Sequence, residues 1–512
     1  VAYIGGQNAT PIVLGGLKKL EYRGYDSAGI AVLQNGKIEI RRDAGKIDHL
    51  ETLITQEPLE GNLGIGHTRW ATHGAPNMQN AHPHISSNGE IVIVHNGIVE
   101  NYLSLREELS AEGAVFRSET DTETIVLLIE HYYAVTQDLL HAVQETLKRI
   151  KGAHGIVVMS SREPDKLVAA RLGNAGGIAI GRGNGEMFIA SDLPAIVEHT
   201  HDITFLDSEQ IAVVQKDGLT LQTLAGTPIE PVWNHIPWDP VSAEKGRYRH
   251  FMQKEIHEQV RSLSDTMVGR IDFDDYRIML PDLHLTADEA QHIRKIFITA
   301  CGTAYHAGLV GKILIEQIAH IPVEVMVASE FRYLDPIIDE GTVVLAISQS
   351  GETADTLAAM EEGRRKGAKL WSIVNAIGSQ AMRGADGSIS MQVGPEIGVA
   401  STKAFTAPIL DLYMLAVYLA DFRGDLTNEK RHELVQDLLK VPTLAQKTLA
   451  REGEVKKIAA KYKDIRNILY LGRGINMPIA YEGSLKLKEI SYIHAEGYPA
   501  GEMKHGPIAL ID

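Results

Sequence analysis

A dense group of hydroxyl side chains lies in the stretch Ser348–Thr353, which reads SQSGET. Its serines and threonine offer O–H donors, and its glycine lets a ligand approach the backbone closely. The apolar run Val343–Ile347 before it is typical of a buried strand, and helix-forming residues follow from Glu352. A strand, a hydroxyl-rich turn and a helix N-terminus together form an anion cradle that needs no lysine. By itself, the stretch fits an ordinary strand-to-helix turn with a serine cap equally well.

Four polar stretches near the start of the chain also carry groups that suit chemistry. They are Tyr22–Gly29, His67–Gly74, His95–Gly97 and Glu119–Glu123. Each has an ordinary explanation when taken singly, such as a structural ion pair or a turn. Their histidines are scattered and no cysteine joins them, so the sequence predicts no metal site.

A third group lies near the end of the chain, on the predicted helix Gly483–Ile490. Lys486 and Glu489 are three residues apart and therefore share one face of that helix. This spacing places an acid and a base within reach of one ligand. The alternative is a common surface pair between Glu482 and Lys486 at i,i+4.

The elements that position these groups differ between the two parts of the chain. The first part has short strands at Ala28–Leu33, Ile91–His95, Gly155–Ser160 and Gln210–Val214. Two helical stretches accompany them, Leu103–Glu112 and Thr122–Leu147, the second with a break near residues 136–138. Strands mixed with helices predict a layered α+β domain over residues 1–235. The proline-rich stretch Thr227–Ala243 marks a linker. We assign residues 236–290 to this linker and to leading helices, which include the helical segment Tyr248–Asp265.

From Ile296 onward, strands and helices alternate as in a doubly wound parallel sheet. The predicted strands are Ile296–Ala300, Val323–Ala328, Val343–Ile347, Lys369–Val374 and Gly387–Val393. Ligands of such sheets bind at the carboxyl ends of the strands, where Cys301–Thr303 and Ser348–Ser350 both fall. The layout recurs from Asn467, so we predict one such domain over residues 291–450 and the start of a second over 451–512. We expect further residues to follow Asp512, because a single βαβ portion does not close a core.

Composition excludes several classes of protein. The chain of 512 residues is 44% hydrophobic and 23% charged, as in globular proteins. A net charge of -16 argues against nucleic-acid binding. No apolar run approaches the roughly 20 residues of a membrane span. One cysteine in the whole chain fits a reducing cytoplasm, where we expect the protein to work.

Taken together, the four N-terminal stretches resemble the glutaminase domain of class II amidotransferases, which has the four-layer αββα fold of N-terminal-nucleophile hydrolases. The resemblance implies that Arg69 pairs the carboxylate of glutamine and Asp121 its ammonium, with Thr72 and His73 nearby. It assigns the oxyanion hole to Asn96 and Gly97, which stabilise the charge that develops on the attacked amide oxygen. It also implies that Trp70 gates the passage of ammonia, although core packing is the alternative.

One feature of that family is missing from the start of this chain. The family's nucleophile is an N-terminal cysteine whose own α-amine acts as the base, in an opening that reads Cys-Gly-Ile-Val. This chain opens at Val1–Gly6, which matches the family's residues just after that cysteine. Cys301 lies in another domain and does not replace it. We therefore expect the native chain to begin with a cysteine a few residues before Val1.

The second part of the chain resembles the sugar isomerase (SIS) domain family, with α/β doubly wound parallel-sheet domains. The resemblance implies that Ser348, Gln349, Ser350 and Thr353 bind the phosphate of a sugar. Further contacts are implied for Thr303 and for the loop formed by Val399, Ala400 and Ser401.

The same resemblance assigns the catalytic groups. Glu489 is implied to move a proton between sugar carbons 1 and 2, with Lys486 assisting. His505 is implied to open the sugar ring from a neighbouring subunit, which predicts a homodimer. The family also uses a lysine near its C-terminus as a Schiff base, which this sequence does not include.

The whole chain is similar to the family that transfers the amide nitrogen of glutamine to fructose 6-phosphate and isomerises the product to glucosamine 6-phosphate, the first step of hexosamine synthesis. That activity implies no cofactor, no membrane and no nucleic acid. A glutamine-dependent phosphoribosyl transferase is a rival that lacks the sugar isomerase layout. A sugar-phosphate-binding regulator would leave the glutamine groups unexplained, and a fructosamine deglycase would not depend on glutamine.

Overall fold

The computed structural model describes residues 1–21, 24, 26–69, 75, 77–174, 177–236 and 245–511. The chain forms two compact units, Val1–Ala243 and Glu244–Asp512. The division between them falls inside the predicted linker.

The first unit combines many short strands with a few helices. Its strands are β1 (Ala2–Ile4), β2 (Ser27–Gln34), β3 (Lys37–Ala44), β4 (Leu63–Arg69), β5 (His84–Ile85), β6 (Ile91–Gly97), β7 (His154–Ser160), β8 (Leu167–Leu172), β9 (Ala179–Arg182), β10 (Met187–Ala190), β11 (Asp202–Phe205), β12 (Gln210–Gln215), β13 (Gly218–Thr223), β14 (Pro228–Ile229) and β15 (Asn234–His235). Its helices are α1 (Ala9–Leu20), α2 (Ile47–Gln56), α3 (Tyr102–Ala111), α4 (Thr122–Thr136) and α5 (Leu139–Arg149).

Two antiparallel sheets pack against each other in this unit. One has the strand order β15-β11-β9-β10-β1-β4-β2-β3 and the other β14-β13-β12-β8-β7-β6-β5. Alternation along β6 shows how the layers form: Val92 and Val94 join the core between the sheets. Ile91 and Ile93 join the core with α3, α4 and α5. The predicted four-layer αββα arrangement is therefore confirmed.

The predicted strands and helices of the first unit match the structure closely, including the helix break. Gln137 ends α4 in the left-handed conformation (φ 51°), and Asp138 caps α5 by accepting from Leu140 N–H. The expectation of only two helical stretches is wrong, because α1 and α2 are also present. Pro11 and Gly16 hide α1 in the sequence, yet Pro11 lies in its first turn, where proline is tolerated.

The second unit contains a parallel sheet with helices. Its strands are β16 (Ile271–Asp272), β17 (Arg277–Ile278), β18 (Lys295–Ala300), β19 (Val323–Val327), β20 (Thr342–Ser348), β21 (Lys369–Val374), β22 (Gly387–Ser390), β23 (Asn467–Gly472) and β24 (His494–Pro499). Its helices are α6 (Phe251–Met267), α7 (Ala287–His292), α8 (Gly302–Ile318), α9 (Ala328–Phe331), α10 (Ala354–Arg365), α11 (Gln380–Arg383), α12 (Lys403–Phe422), α13 (Asn428–Leu439), α14 (Val441–Leu449), α15 (Glu452–Tyr462) and α16 (Asn476–Ser491).

The five-stranded parallel sheet has the order β19-β18-β20-β21-β22. The strand order reverses between β18 and β20. The carboxyl ends of these two strands are therefore the topological switch point, where such sheets bind ligands. The two strands pair in parallel register, with Ala300 opposite Ile347. The predicted doubly wound sheet is confirmed, and both predicted loops begin at the switch point. A second βαβ element, β23-α16-β24, is also parallel, as the repeat predicts.

Helix α12 is, by length and composition, apolar enough to cross a membrane, and it stands alone in this among the described residues. It contains Lys403 and Asp411, and 67% of its most apolar window is buried inside the unit. Its residues form much of the core beneath the parallel sheet. We interpret α12 as a core helix.

A buried ion pair fastens α12 to the end of β22. Arg270 Nη1 lies 2.6 Å from Asp411 Oδ1, and the same guanidinium also donates to the carbonyl of Ser390. The side chain of Asp411 is fully buried and that of Arg270 nearly so. Burial raises the pKa of the Asp411 carboxyl, while the charge and hydrogen bond of Arg270 oppose that rise. Each charge therefore depends on the other inside the core.

We predict that Asp411→Ala lowers the free energy of unfolding by about 3–5 kcal/mol, because it leaves the Arg270 guanidinium buried without a counter-ion. Urea unfolding at pH 7 measures the change. The double variant Arg270→Met/Asp411→Leu removes both charges and should recover most of the loss. Asp437→Ala, which breaks an exposed pair with Lys440, should change stability by less than about 1 kcal/mol. A double variant no more stable than Asp411→Ala would contradict the explanation.

Candidate active sites

The second unit holds a polar cavity of about 190 Å³ at the switch point of its parallel sheet. Its lining includes six of the predicted sugar-phosphate residues: Thr303, Ser348, Gln349, Ser350, Thr353 and Ser401. None of the described residues that line it is a lysine or an arginine. An anion in this cavity would therefore be held by hydroxyl groups and backbone N–H groups.

The SQSGET loop is built from hydrogen bonds within itself. Ser348 Oγ accepts from Gly351 N–H at 3.0 Å and lies 3.3 Å from Thr353 Oγ1, while Ser350 Oγ accepts from Glu352 N–H at 3.2 Å. The two bonds from backbone N–H groups use oxygen lone pairs and leave hydroxyl protons to donate, whereas the contact between Ser348 and Thr353 uses the proton of one of these two hydroxyls. Gly351 has φ +63°, and a Cβ there would lie 2.0 Å from Ser379 Oγ. Only glycine fits this turn.

Two helices begin at the cavity. Helix α10 starts directly after Thr353, and α8 starts directly after Cys301, in both cases without a side-chain cap bond. The first N–H groups of each helix therefore lack an intrahelical partner and carry a partial positive charge. Together with the loop hydroxyls, they make the cavity suited to a phosphate group.

A cluster of charged side chains joins α8 to α16 beside the cavity. Glu482 accepts hydrogen bonds from Thr303 Oγ1 at 2.9 Å and from His306 Nδ1 at 2.8 Å. Lys486 Nζ donates to Thr303 Oγ1 at 3.0 Å and lies 2.7 Å from Glu489 Oε2. The predicted acid and base therefore lie in contact, next to a residue that lines the cavity.

The alternative of a surface pair between Glu482 and Lys486 is wrong. The Glu482 side chain is only 6% exposed, and Lys486 Nζ lies 3.3 Å from its Oε1. Burial would raise the pKa of Glu482, but the hydrogen bond from His306, the charge of Lys486 and the bond from Thr303 outweigh it and lower that pKa. Glu482 is thus an ionised, fully bonded anchor. The sequence did not reveal the role of Glu482 and His306, because only tertiary packing brings α8 and α16 together.

Three other predicted residues are placed differently. Val399 is 66% exposed and Ala400 is buried, and neither lines the cavity. His505 lies on a short 3-10 turn, is exposed, and is not among the residues of its own chain that line the cavity.

The loop that carries Ser401 is held by two buried carboxylates that sequence reasoning missed. Glu255 on α6 accepts from Ile397 N–H at 2.6 Å and from Gly398 N–H at 2.9 Å. Glu396 accepts from Thr402 N–H at 2.8 Å. A carboxylate that accepts backbone N–H groups is visible only in the fold, since Glu255 lies more than 140 residues away from the loop.

The first unit holds a cavity of about 220 Å³ whose lining includes four of the predicted glutamine-site residues: Arg69, Asn96, Gly97 and Asp121. Arg69 ends β4, Asn96 and Gly97 end β6, and Asp121 precedes α4. A guanidinium, a carboxylate and amide donors thus face one space. Trp70, Thr72 and His73 lie outside the described residues.

Close backbone packing fixes the end of β6. Gly97 has φ +145°, and a Cβ there would lie 2.1 Å from the carbonyl oxygen of Ala153. Asp121 Oδ2 accepts from Val99 N–H at 2.8 Å, which ties the residues after β6 to the start of α4. The site therefore rests on backbone as well as on side chains.

Four buried histidines that line this cavity or lie next to its lining are in their neutral form. Burial lowers the pKa of His67 and of His84 to about 3, and it lowers the pKa of His82 and of His95 well below the usual value. Arg69 also contributes to the lowering at His67, His82 and His84. Among the described residues, no group of three or more histidine, cysteine or carboxylate side chains is arranged to hold a metal ion.

Comparison with known families matches both units. A family profile described as a glutamine amidotransferase domain matches residues 67–198. A profile described as a SIS domain matches residues 291–418 and 461–512. The first match includes Arg69, Asn96, Gly97 and Asp121, and the second includes all the residues that line the cavity of the second unit.

Comparison with curated proteins extends over the whole chain. It is 49% identical over 512 residues to a glutamine–fructose-6-phosphate aminotransferase (isomerizing) of Caldanaerobacter subterraneus subsp. tengcongensis, covering 100% of this chain and 83% of that protein. The same figures hold for the protein of that name from Aquifex aeolicus, and the one from Thermus thermophilus is 46% identical over the same shares.

Among solved structures, the C-terminal domain of glucosamine-fructose-6-phosphate aminotransferase from Francisella tularensis has a TM-score of 0.51 and 40% identity, over 52% of this chain and 75% of that one. Identity of this extent, along the full length of the chain, shows that the protein belongs to the glutamine–fructose-6-phosphate aminotransferase (isomerizing) family.

Proposed function

We propose that the protein transfers the amide nitrogen of glutamine to fructose 6-phosphate and isomerises the product to glucosamine 6-phosphate, releasing glutamate. The observation that carries this proposal is the contact between Lys486, Glu489 and Thr303 beside a phosphate-sized cavity. The same chain also holds a cavity with the groups that a glutamine zwitterion needs.

Glutamine binds in the cavity of the first unit. The Arg69 guanidinium pairs its α-carboxylate, and Asp121 pairs its ammonium. The side-chain amide of Asn96 and the N–H of Gly97 donate to the amide oxygen as it gains negative charge. The neutral histidines add no positive charge near the ammonium. Hydrolysis releases glutamate and ammonia.

The sugar binds with its phosphate in the SQSGET loop, at the N-terminus of α10. Ammonia replaces the ketone oxygen at carbon 2 and forms an imine with loss of water. Glu489 then removes a proton from carbon 1 and returns it to carbon 2, while the hydroxyl proton of carbon 1 passes to the nitrogen. The imine thereby becomes an amine, and carbon 1 becomes an aldehyde. Lys486 lies 2.7 Å from Glu489 and supplies a positive charge beside the oxygens where charge develops.

A sugar-phosphate-binding regulator has less support. Such a protein needs the cavity alone, and the Lys486–Glu489 pair and the glutamine cavity would have no role. We also propose that the protein works in the cytoplasm, in keeping with its single cysteine.

Isotope transfer tests the reaction. The purified protein is given fructose 6-phosphate and glutamine labelled with ¹⁵N at the amide, in the presence of unlabelled ammonium. We expect ¹⁵N in glucosamine 6-phosphate by mass spectrometry. Product that carries only unlabelled nitrogen would show an ammonia-dependent enzyme instead, and no product at all would refute the proposal.

We predict that Glu489→Gln lowers the rate of glucosamine 6-phosphate formation by about 100-fold or more, because an amide does not carry the proton. Binding of fructose 6-phosphate, measured by calorimetry, should change less than about fivefold, since Glu489 does not line the phosphate cavity. The control Glu454→Gln alters an exposed glutamate paired with Arg451 and should retain full activity. Normal turnover by Glu489→Gln would remove the proton-transfer role.

The exposed position of His505 supports a homodimer in which each subunit lends this histidine to the other's sugar site. We predict that His505→Asn and Glu489→Gln, each nearly inactive, recover activity when they are unfolded and refolded together. Half of the dimers are then mixed, and one of their two sites is intact, so about a quarter of wild-type activity should return. The control His494→Asn, at another exposed histidine, should be active alone. Failure to recover activity in verified mixed dimers would exclude a shared site.

A further inference from the structure

A continuous chain of hydrogen bonds crosses the interior of the first unit. His82 Nε2 lies 3.0 Å from Thr122 Oγ1, which lies 2.8 Å from His95 Nδ1. His95 Nε2 lies 3.1 Å from His154 Nδ1, and His154 Nε2 lies 3.1 Å from the carbonyl oxygen of Lys151. His82, His95, His154 and Thr122 are at most 5% exposed. Buried polar groups of this kind have to satisfy one another, because water does not reach them.

The chain has only one consistent direction. A carbonyl only accepts, so His154 Nε2 carries the proton that is donated to Lys151, and Nδ1 of this neutral ring accepts. His95 Nε2 must then donate to His154, and its Nδ1 accepts the proton of the Thr122 hydroxyl. His82 Nε2 in turn donates to Thr122. Burial lowers the pKa of all three histidines, which agrees with neutral rings.

This chain connects the two segments that carry the glutamine groups. His95 directly precedes Asn96 on β6, and Thr122 directly follows Asp121 at the start of α4. The Thr122–His95 bond therefore sets the spacing between the amide donors and the ammonium-binding carboxylate. The far end of the chain, at His154, pairs with Gly97 in the register of β6 and β7.

We propose that Thr122 and His95 are positioning residues for glutamine hydrolysis: their directed hydrogen bonds hold Asn96 and Gly97 at the distance from Asp121 that the attacked amide requires. This role rests on the proposed hydrolysis of glutamine in the first unit. Neither residue has to touch the reacting atoms. A shift of a few tenths of an ångström to 1 Å in the donors is enough to weaken stabilisation of the developing charge.

Substitution of Thr122 tests the proposal with the purified protein. Thr122→Val keeps the shape of the side chain but leaves His95 Nδ1 without its donor and His82 Nε2 without its acceptor. We expect kcat for glutamine hydrolysis to fall about 10- to 100-fold with KM changed less than about threefold. Thr122→Ser restores the hydroxyl and should recover activity to within about threefold of wild type. Fructose 6-phosphate binding in the second unit should be unchanged.

Thr146→Val is the matched control, because Thr146 is equally buried and its hydroxyl bonds only to the carbonyl of Ala142 within α5. It should leave kcat unchanged.

Nitrogen NMR of ¹⁵N-histidine protein should show the Nε2–H form at His95 and His154 in wild type and a changed His95 signal in Thr122→Val. If Thr122→Val does not fold, Thr122→Ala provides the same loss of hydroxyl.

The outcomes separate the two proposals. A wild-type protein that hydrolyses glutamine while Thr122→Val and Thr122→Ala keep normal kcat would overturn the positioning role alone. An equal loss of kcat in Thr146→Val would also overturn it, because packing would then explain both effects. A wild-type protein that does not hydrolyse glutamine would overturn the proposed function, and the positioning role with it.

Discussion

The parallel pairing of β18 with β20 is the constraint on which the proposed sugar site depends. Because Ala300 lies opposite Ile347, the chain leaves both strands at the same edge of the sheet and enters α8 and α10 there. Two helix N-termini and the SQSGET hydroxyls consequently meet in one cavity. A phosphate held by neutral donors can enter and leave readily, which suits a substrate. Helices α6 and α16 contribute side chains that contact the segments at this end of the sheet.

Buried carboxyl groups hold the segments that line that cavity, although the cavity itself suits an anion. Glu255, Glu396 and Glu482 each accept hydrogen bonds from backbone N–H groups or from neighbouring side chains. A buried carboxyl group with several hydrogen bonds fixes the groups around it, whereas one without partners would destabilise the fold. Glu482 is the clearest case, because it contacts both Thr303 and Lys486 and so fixes their positions beside the cavity.

In the proposed function, the first unit recognises its ligand through charged side chains. A zwitterion needs one group of each sign, and Arg69 and Asp121 provide them in one cavity. Burial keeps the nearby histidines neutral, so they form hydrogen bonds with Thr122 and add no charge to the cavity. Antiparallel sheets that pack face to face supply the rigid backbone on which these side chains are mounted, with Gly97 fitted against Ala153.

The sequence by itself determined the elements with strong local patterns: the strands before Thr303 and Ser348, the break between α4 and α5, and the motifs that indicate glutamine and sugar phosphate. It missed α1, because a proline and two glycines disfavour a helix in general. In α1 the proline lies in the first turn, where it is tolerated. Tertiary structure alone decided that Glu482 is buried, that Glu255 holds a loop more than 140 residues away, and that His95 meets Thr122. The physical reason is that periodicity and turn chemistry act between neighbours in sequence. Burial and hydrogen bonding between distant segments exist only once the chain has packed.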